Sequence, residues 1–150
     1  MFICVILFFI CVIIFYGGVI MADDSLTEDE IKILVVDDDE TLIRTVQAIL
    51  KSYGYTVLAG RTGEEGLELA KKEKPDLILL DVLLPKMKGR EVCKKIKEIP
   101  ELKNIPVIFL TAKDSPEDIE AEMAAGAVGH LTKPVYANVL ISTLRRILKS

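Results

Sequence analysis

Tryptophan is absent, histidine occurs once, as His130, and cysteine three times, at Cys4, Cys11 and Cys93. Three cysteines at those spacings build neither a disulfide framework nor a zinc site, so a reducing compartment is expected. Serine–histidine–aspartate catalysis would have to run through His130, and no nucleophile-elbow pattern accompanies it. An excess of positive charge is missing too. Lys and Arg number 19 against 23 Asp and Glu, a net charge of −4, which excludes a nucleic-acid binder relying on a strongly basic surface. Disorder is excluded by the 51% of hydrophobic residues, and 150 residues suffice for one domain with a real core.

Charge is absent from residues 1–21, an apolar leader interrupted only by Gly17 and Gly18, and all 42 charged residues lie beyond it. A helix of about 20 residues rises roughly 30 Å, enough to span a bilayer core. No Lys or Arg precedes this stretch, and the linker over 22–30 is acidic (Asp23, Asp24, Glu28, Asp29, Glu30), so the positive-inside rule gives no orientation. Three readings stay open: a membrane anchor, a secretory signal without its basic region, or upstream sequence translated from a wrongly chosen start codon ahead of Met21-Ala22-Asp23-Asp24. The expected location is cytoplasmic, with membrane anchoring if 1–21 is translated and retained.

From residue 31 onward β and α patterns alternate. Ile31–Val36 is a β-branched run, followed by Leu42, Ile43, Val46, Ile49 and Leu50 at helical spacing, with Gly54 as the stop. Thr56–Ala59 reads as a second strand, and Thr62-Gly63-Glu64-Glu65 as a capping box opening a helix to about Lys72. Leu77–Leu80 is apolar on both faces, as a central parallel strand is. A helix with Val92, Cys93 and Ile96 follows Gly89, then the strand Val107–Leu110. Ser115-Pro116-Glu117-Asp118 supplies an N-cap, a proline at the first helical position and acidic residues for the dipole, with Gly126 closing that helix. Gly129–Thr132 is a last strand, and Leu140, Leu144, Ile147 and Leu148 mark a final helix. Five strand–helix units in alternation predict a doubly wound α/β domain over 31–150, with a parallel sheet covered by helices on both faces.

In such a sheet the carboxyl ends of the strands share one edge, where ligands bind. Asp37, Asp38 and Asp39 follow the first strand, Asp81 the third, Thr111 the fourth and Lys133-Pro134 the fifth. Clustered carboxylates repel by roughly 1 to 4 kcal/mol per close pair and call for a cation. Hard oxygen ligands with open positions suit Mg²⁺ shared with a phosphate. Lys133 and Thr111 can then hold oxygens of a transferring phosphoryl group while one carboxylate attacks phosphorus in line. No GxGxxG or Walker A pattern follows the first strand, so dinucleotide or nucleoside-triphosphate binding lacks its loop.

These residues resemble the receiver domains of two-component response regulators, from about Ile31 to Leu148. Ile33–Glu40 looks like the acidic-pair motif, Leu80–Gly89 like the phosphoacceptor loop, Leu110-Thr111-Ala112 like the switch-threonine motif, and Lys133-Pro134 like the lysine with its proline. The resemblance implies a flavodoxin-like five-stranded sheet of order 2-1-3-4-5 flanked by five helices. Asp81 would accept a phosphoryl group from the phosphohistidine of a sensor histidine kinase or histidine phosphotransferase. Asp38 and Asp81 would bind Mg²⁺ directly, with Asp37 acting through water and the Leu83 backbone carbonyl as a further ligand. Thr111 would move to bond the phosphoryl group, Ala112 would leave it room, and Lys133, before a cis peptide bond, would pair with it. Asp39 is expected as a helix N-cap rather than a ligand.

Departures from the family pattern are few. His130 occupies the rotating switch position, where Tyr or Phe is usual, and an ordinary half-exposed strand histidine is the plainer alternative. Leu83 stands two residues after Asp81 and has no group to orient a water, which predicts slow loss of the phosphoryl group. Lys88 replaces the usual acidic residue before Gly89. The chain stops at Ser150, directly after the fifth helix, so the expectation is a stand-alone receiver. It would signal by protein contact through its fourth helix, fifth strand and fifth helix, without nucleic acid. Two competing readings remain. One is a receiver-like adaptor that binds without being phosphorylated. The other is a Mg²⁺-dependent phosphohydrolase, which wants a second carboxylate where Leu83 stands.

Overall fold

The computed structural model of the chain describes residues 30–150, so the apolar leader over 1–21 and most of the acidic linker over 22–30 lie outside the described residues. Strands β1 (Lys32–Val36), β2 (Thr56–Gly60), β3 (Leu77–Asp81), β4 (Val107–Thr111) and β5 (Gly129–Thr132) alternate with helices α1 (Glu40–Ser52), α2 (Gly63–Glu73), α3 (Gly89–Glu98), α4 (Pro116–Ala124) and α5 (Ala137–Leu148). All strand pairs are parallel, in the order β2-β1-β3-β4-β5. The chain runs outward from β1 to β2 and then returns to the other side of β1 for β3, so the topological switch point falls between β1 and β3.

Period-two alternation divides the core between the two faces of the sheet. Leu34, Val36, Ile78, Leu80, Val107 and Phe109 point to one face and pack with Leu67 and Ala70 of α2 and Val92, Cys93 and Ile96 of α3. Ile33, Val35, Leu77, Leu79, Ile108 and Leu110 point to the other, against α1 and α5. Both faces of β3 and β4 are buried along their whole length, and each such aliphatic side chain contributes about 1.5–3 kcal/mol by leaving water. Cys93 is a small buried hydrophobe, its thiol 3.3 Å from the Ala125 carbonyl oxygen and its pKa pushed up by burial to about 11.

Helix ends follow their sequence signals, with one difference. Asp39 caps α1 by accepting from the backbone N–H groups of Thr41 and Leu42, and Ser115 caps α4 by accepting from Asp118. Gly126 follows α4 at φ +104°, the left-handed region that glycine enters without strain. At α2, Thr62 accepts from the Glu65 N–H, but the Glu65 carboxylate reaches the N–H of Arg61 at 2.7 Å instead of closing the box on Thr62. The longer Glu side chain thus ties the chain one residue before the cap. Among the described residues no helix is long and apolar enough to cross a membrane.

Candidate functional site

Backbone hydrogen bonds carry the sheet one step past the strand ends and fix the loops that hold the polar residues. Asp37 N–H donates to Gly60 O (3.1 Å), Val82 N–H to Leu110 O (3.2 Å) and Lys133 N–H to Thr111 O (2.7 Å). The Lys133-Pro134 bond is cis. Each functional side chain therefore leaves a hydrogen-bonded strand end, the positional precision a site needs.

One carboxylate oxygen from each of Asp37, Asp38 and Asp81 lies within 4.8 Å of the others. Asp37 is fully buried and Asp81 is 5% exposed, whereas Asp38 faces solvent. Lys133 reaches into this cluster, 2.7 Å from Asp37 Oδ2 and 3.3 Å from Asp81 Oδ1. Asp37 Oδ1 also accepts from the Asp39 N–H at 2.9 Å, and Asp81 Oδ1 from the Leu83 N–H at 3.3 Å. Burial and the Asp37 charge push the Asp81 pKa above the usual carboxylate range, outweighing Lys133 and the Leu83 hydrogen bond. For Lys133 burial opposes the charge, yet the Asp37 hydrogen bond and the two carboxylates prevail and hold its pKa above the usual value. An all-oxygen donor set with one open, solvent-facing member fits a hard divalent cation such as Mg²⁺.

Thr111 is buried, and its hydroxyl donates to Lys113 O at 2.7 Å while accepting from Lys113 N–H. It is bound within its own loop and would have to turn to bond a group on Asp81. Ala112 and Leu83 are exposed, and His130 is half-buried on β5 beside Phe109 in register. A cavity of about 210 Å³ opens beside Thr111, bordered by Leu83, Lys88, Arg90 and Lys113.

Two features escape sequence reasoning. Gly89, read there only as a helix start, lies so close to β3 that a β-carbon on it would overlap the Asp81 carbonyl oxygen and stand 3.0 Å from Val82 Cα. Its N–H donates to Val82 O, so α3 rests directly on the backbone of Asp81. The glycine before the helix was visible, but the contact partner was not. Arg90 pairs with Asp118 at 2.8 Å across α3 and α4, a contact between helices that no local pattern encodes.

The sheet order, the acidic cluster at the switch point and the lysine beyond β5 together define a class. The sequence profile of the response regulator receiver domain matches residues 33–145. The chain belongs to the response regulator receiver domain family. Protein PilH of Pseudomonas aeruginosa is 36% identical over 117 residues, covering 78% of this chain and 97% of PilH. The alkaline phosphatase synthesis transcriptional regulatory protein PhoP of Bacillus subtilis is 42% identical over 118 residues, 79% of this chain and 48% of PhoP. The chain spans about half the length of PhoP and of several other curated relatives it matches. Among solved structures, the Vibrio cholerae chemotaxis protein CheY4 superposes with a TM-score of 0.75 at 36% identity, covering 77% of this chain and 97% of CheY4. Receiver domains of this family are signalling domains of two-component systems, and they work with histidine kinases or phosphotransfer proteins.

Proposed function

We propose that Asp81 is the phosphoacceptor, supported above all by its place 3.3 Å from the Lys133 ammonium inside the Asp37–Asp38–Asp81 cluster. An Asp81 carboxylate oxygen attacks the phosphorus of a phosphohistidine in line. The nitrogen–phosphorus bond breaks, the imidazole leaves with the bonding pair, and an acyl phosphate forms. Asp38, Asp81 and the Leu83 carbonyl would hold Mg²⁺, with Asp37 acting through water. When bound, Mg²⁺ supplies positive charge that offsets the repulsion between the carboxylates and the phosphoryl oxygens. Lys133 pairs with a phosphoryl oxygen, Thr111 exchanges its Lys113 contact for another, and Ala112 is small enough to leave the approach clear. His130 responds on β5, and the signal leaves through α4, β5 and α5 to a protein effector, in the cytoplasm.

Intact mass spectrometry before and after incubation with Mg²⁺ and acetyl phosphate tests this. One phosphoryl group is expected, and none with Asp81→Asn or with EDTA. Uptake undiminished in Asp81→Asn would sink the assignment, and no uptake by the wild type would favour an adaptor that works by binding alone.

A further inference from the structure

Helix α4 is built unlike the other helices. Its one buried residue is charged, Glu122, 1% exposed, and among the described residues neither carboxylate oxygen has a hydrogen-bond partner. Across from it, Arg90 of α3 gives Nη2 to Asp118 at 2.8 Å and leaves its buried Nε without an acceptor among the described residues. Asp118 precedes Glu122 by one helical turn, on the same face. Strand β5, on which α4 packs, carries the half-buried His130. Arg90 from α3, Asp118 from α4 itself and His130 from β5 are the charged and titratable groups near enough to act on the Glu122 charge. Burial pushes the Glu122 pKa up, Asp118 adds to that, and His130 and Arg90 oppose it. A buried carboxylate without donors is costly, whereas the neutral acid is less so. The arrangement seen here therefore shifts Glu122 toward its neutral form.

We propose that Glu122 is the counter-group of His130: an ion pair between them closes across α4 and β5 when Asp81 is phosphorylated and is open in the arrangement described here, which ties the signalling state to pH. The inference rests on the receiver reading and on His130 as its responding residue. The closed pair consists of carboxylate and imidazolium, so closing needs a proton on His130 and none on Glu122. On acidification Glu122 keeps its proton and the pair is lost. At alkaline pH the imidazole loses its own, with the same result. The phosphorylated state is then best held in a window between the two titrations.

His130 is the single histidine of the chain, so its imidazole C–H resonances report on it without assignment. They are followed across pH in the full-length wild type, Glu122→Gln and Glu122→Ala, each before and after phosphorylation with acetyl phosphate and Mg²⁺, with uptake read by intact mass. On phosphorylation the wild-type His130 midpoint is expected to rise by at least about half a pH unit, a threefold gain in proton affinity. Both variants are expected to take up the phosphoryl group and to lose that rise. Two variants of different size, both phosphorylated and hence folded, separate the missing carboxyl from altered packing. Equal His130 midpoints in phosphorylated wild type and variants overturn the inference and leave the receiver reading standing. A wild type that accepts no phosphoryl group overturns the reading, and the inference with it.

Discussion

Asp37 is buried without exposure, and the Lys133 ammonium is what balances it. Breaking a buried pair by deleting one partner costs about 3–5 kcal/mol, and Lys133 keeps 22% of its side chain in water, which brings the expected loss for Lys133→Ala to about 2 kcal/mol. Urea unfolding in EDTA measures it, and adding Asp37→Asn is expected to recover part of the loss. An unchanged midpoint would contradict the balance described. The pH dependence at this site has two arms. Because the folded state raises the Asp81 pKa, the metal-free protein gains from Asp81 only while it is protonated, and that gain is lost as pH rises through the folded pKa. Asp81→Asn is accordingly expected to stabilise the metal-free protein at neutral pH by about 1 kcal/mol. Lys133, also raised, contributes below its unfolded pKa, and that contribution disappears on the alkaline side as pH passes the folded pKa. Leu83, 61% exposed at the mouth of the site, has no polar group for a hydrolytic water. The acyl phosphate is expected to outlive that of a variant with Leu83→Gln, by several-fold in a radiolabel decay assay. Loss of half the wild-type label within seconds would reject this.

Among the elements, α4 is held least firmly. Helices α1, α3 and α5 each bury three or more residues into an aliphatic core, while α4 buries Glu122 alone and relies on its Ser115 cap and the Arg90–Asp118 pair. Few buried apolar contacts mean a low local opening free energy. Hydrogen exchange is expected to release the α4 amides before those of α1 and α3, and earlier still in Ser115→Ala, since an N-cap is worth about 1 kcal/mol. Protection of α4 equal to that of α3 would refute this. The same contrast explains what was legible in the sequence. β3 and β4 announced themselves as continuous apolar runs, and α1 and α5 by apolar residues at helical spacing. α4 was readable only from its punctuation, Ser115-Pro116 and Gly126, so its buried face was not. Glu122 sits in a run of charges where nothing marks one carboxylate as buried.

On the scale of the whole domain, the site was legible because topology does the gathering. Asp37, Asp81, Thr111 and Lys133 are far apart in the chain, yet each ends a strand of one parallel sheet, and the strand ends converge by construction. What topology does not encode is side-chain reach across helices, and so the pairing of Arg90 with Asp118 and the contact of Gly89 with Asp81 emerged only in three dimensions. The convergence has a thermodynamic consequence. In the unfolded chain Asp81 is far from the adjacent Asp37 and Asp38 and the set binds a divalent ion poorly, so Mg²⁺ binding at this site would favour the folded state by mass action. At a free Mg²⁺ concentration of ten times Kd the gain is about 1.4 kcal/mol, which for a domain of this size raises Tm by about 4 °C. Calorimetry is expected to show that rise, its reversal by EDTA, and its loss in Asp38→Asn, whose solvent-facing carboxylate contributes little to packing. A Tm that climbs with Mg²⁺ equally in wild type and Asp38→Asn would place the ion elsewhere. With Asp81 as a proposed Mg²⁺ ligand whose burial destabilises the metal-free protein, Asp81→Asn is expected to start from a higher metal-free Tm and gain less from Mg²⁺. The wild type and Asp81→Asn curves then converge or cross as Mg²⁺ is added, a pattern that nonspecific screening of negative charge does not produce.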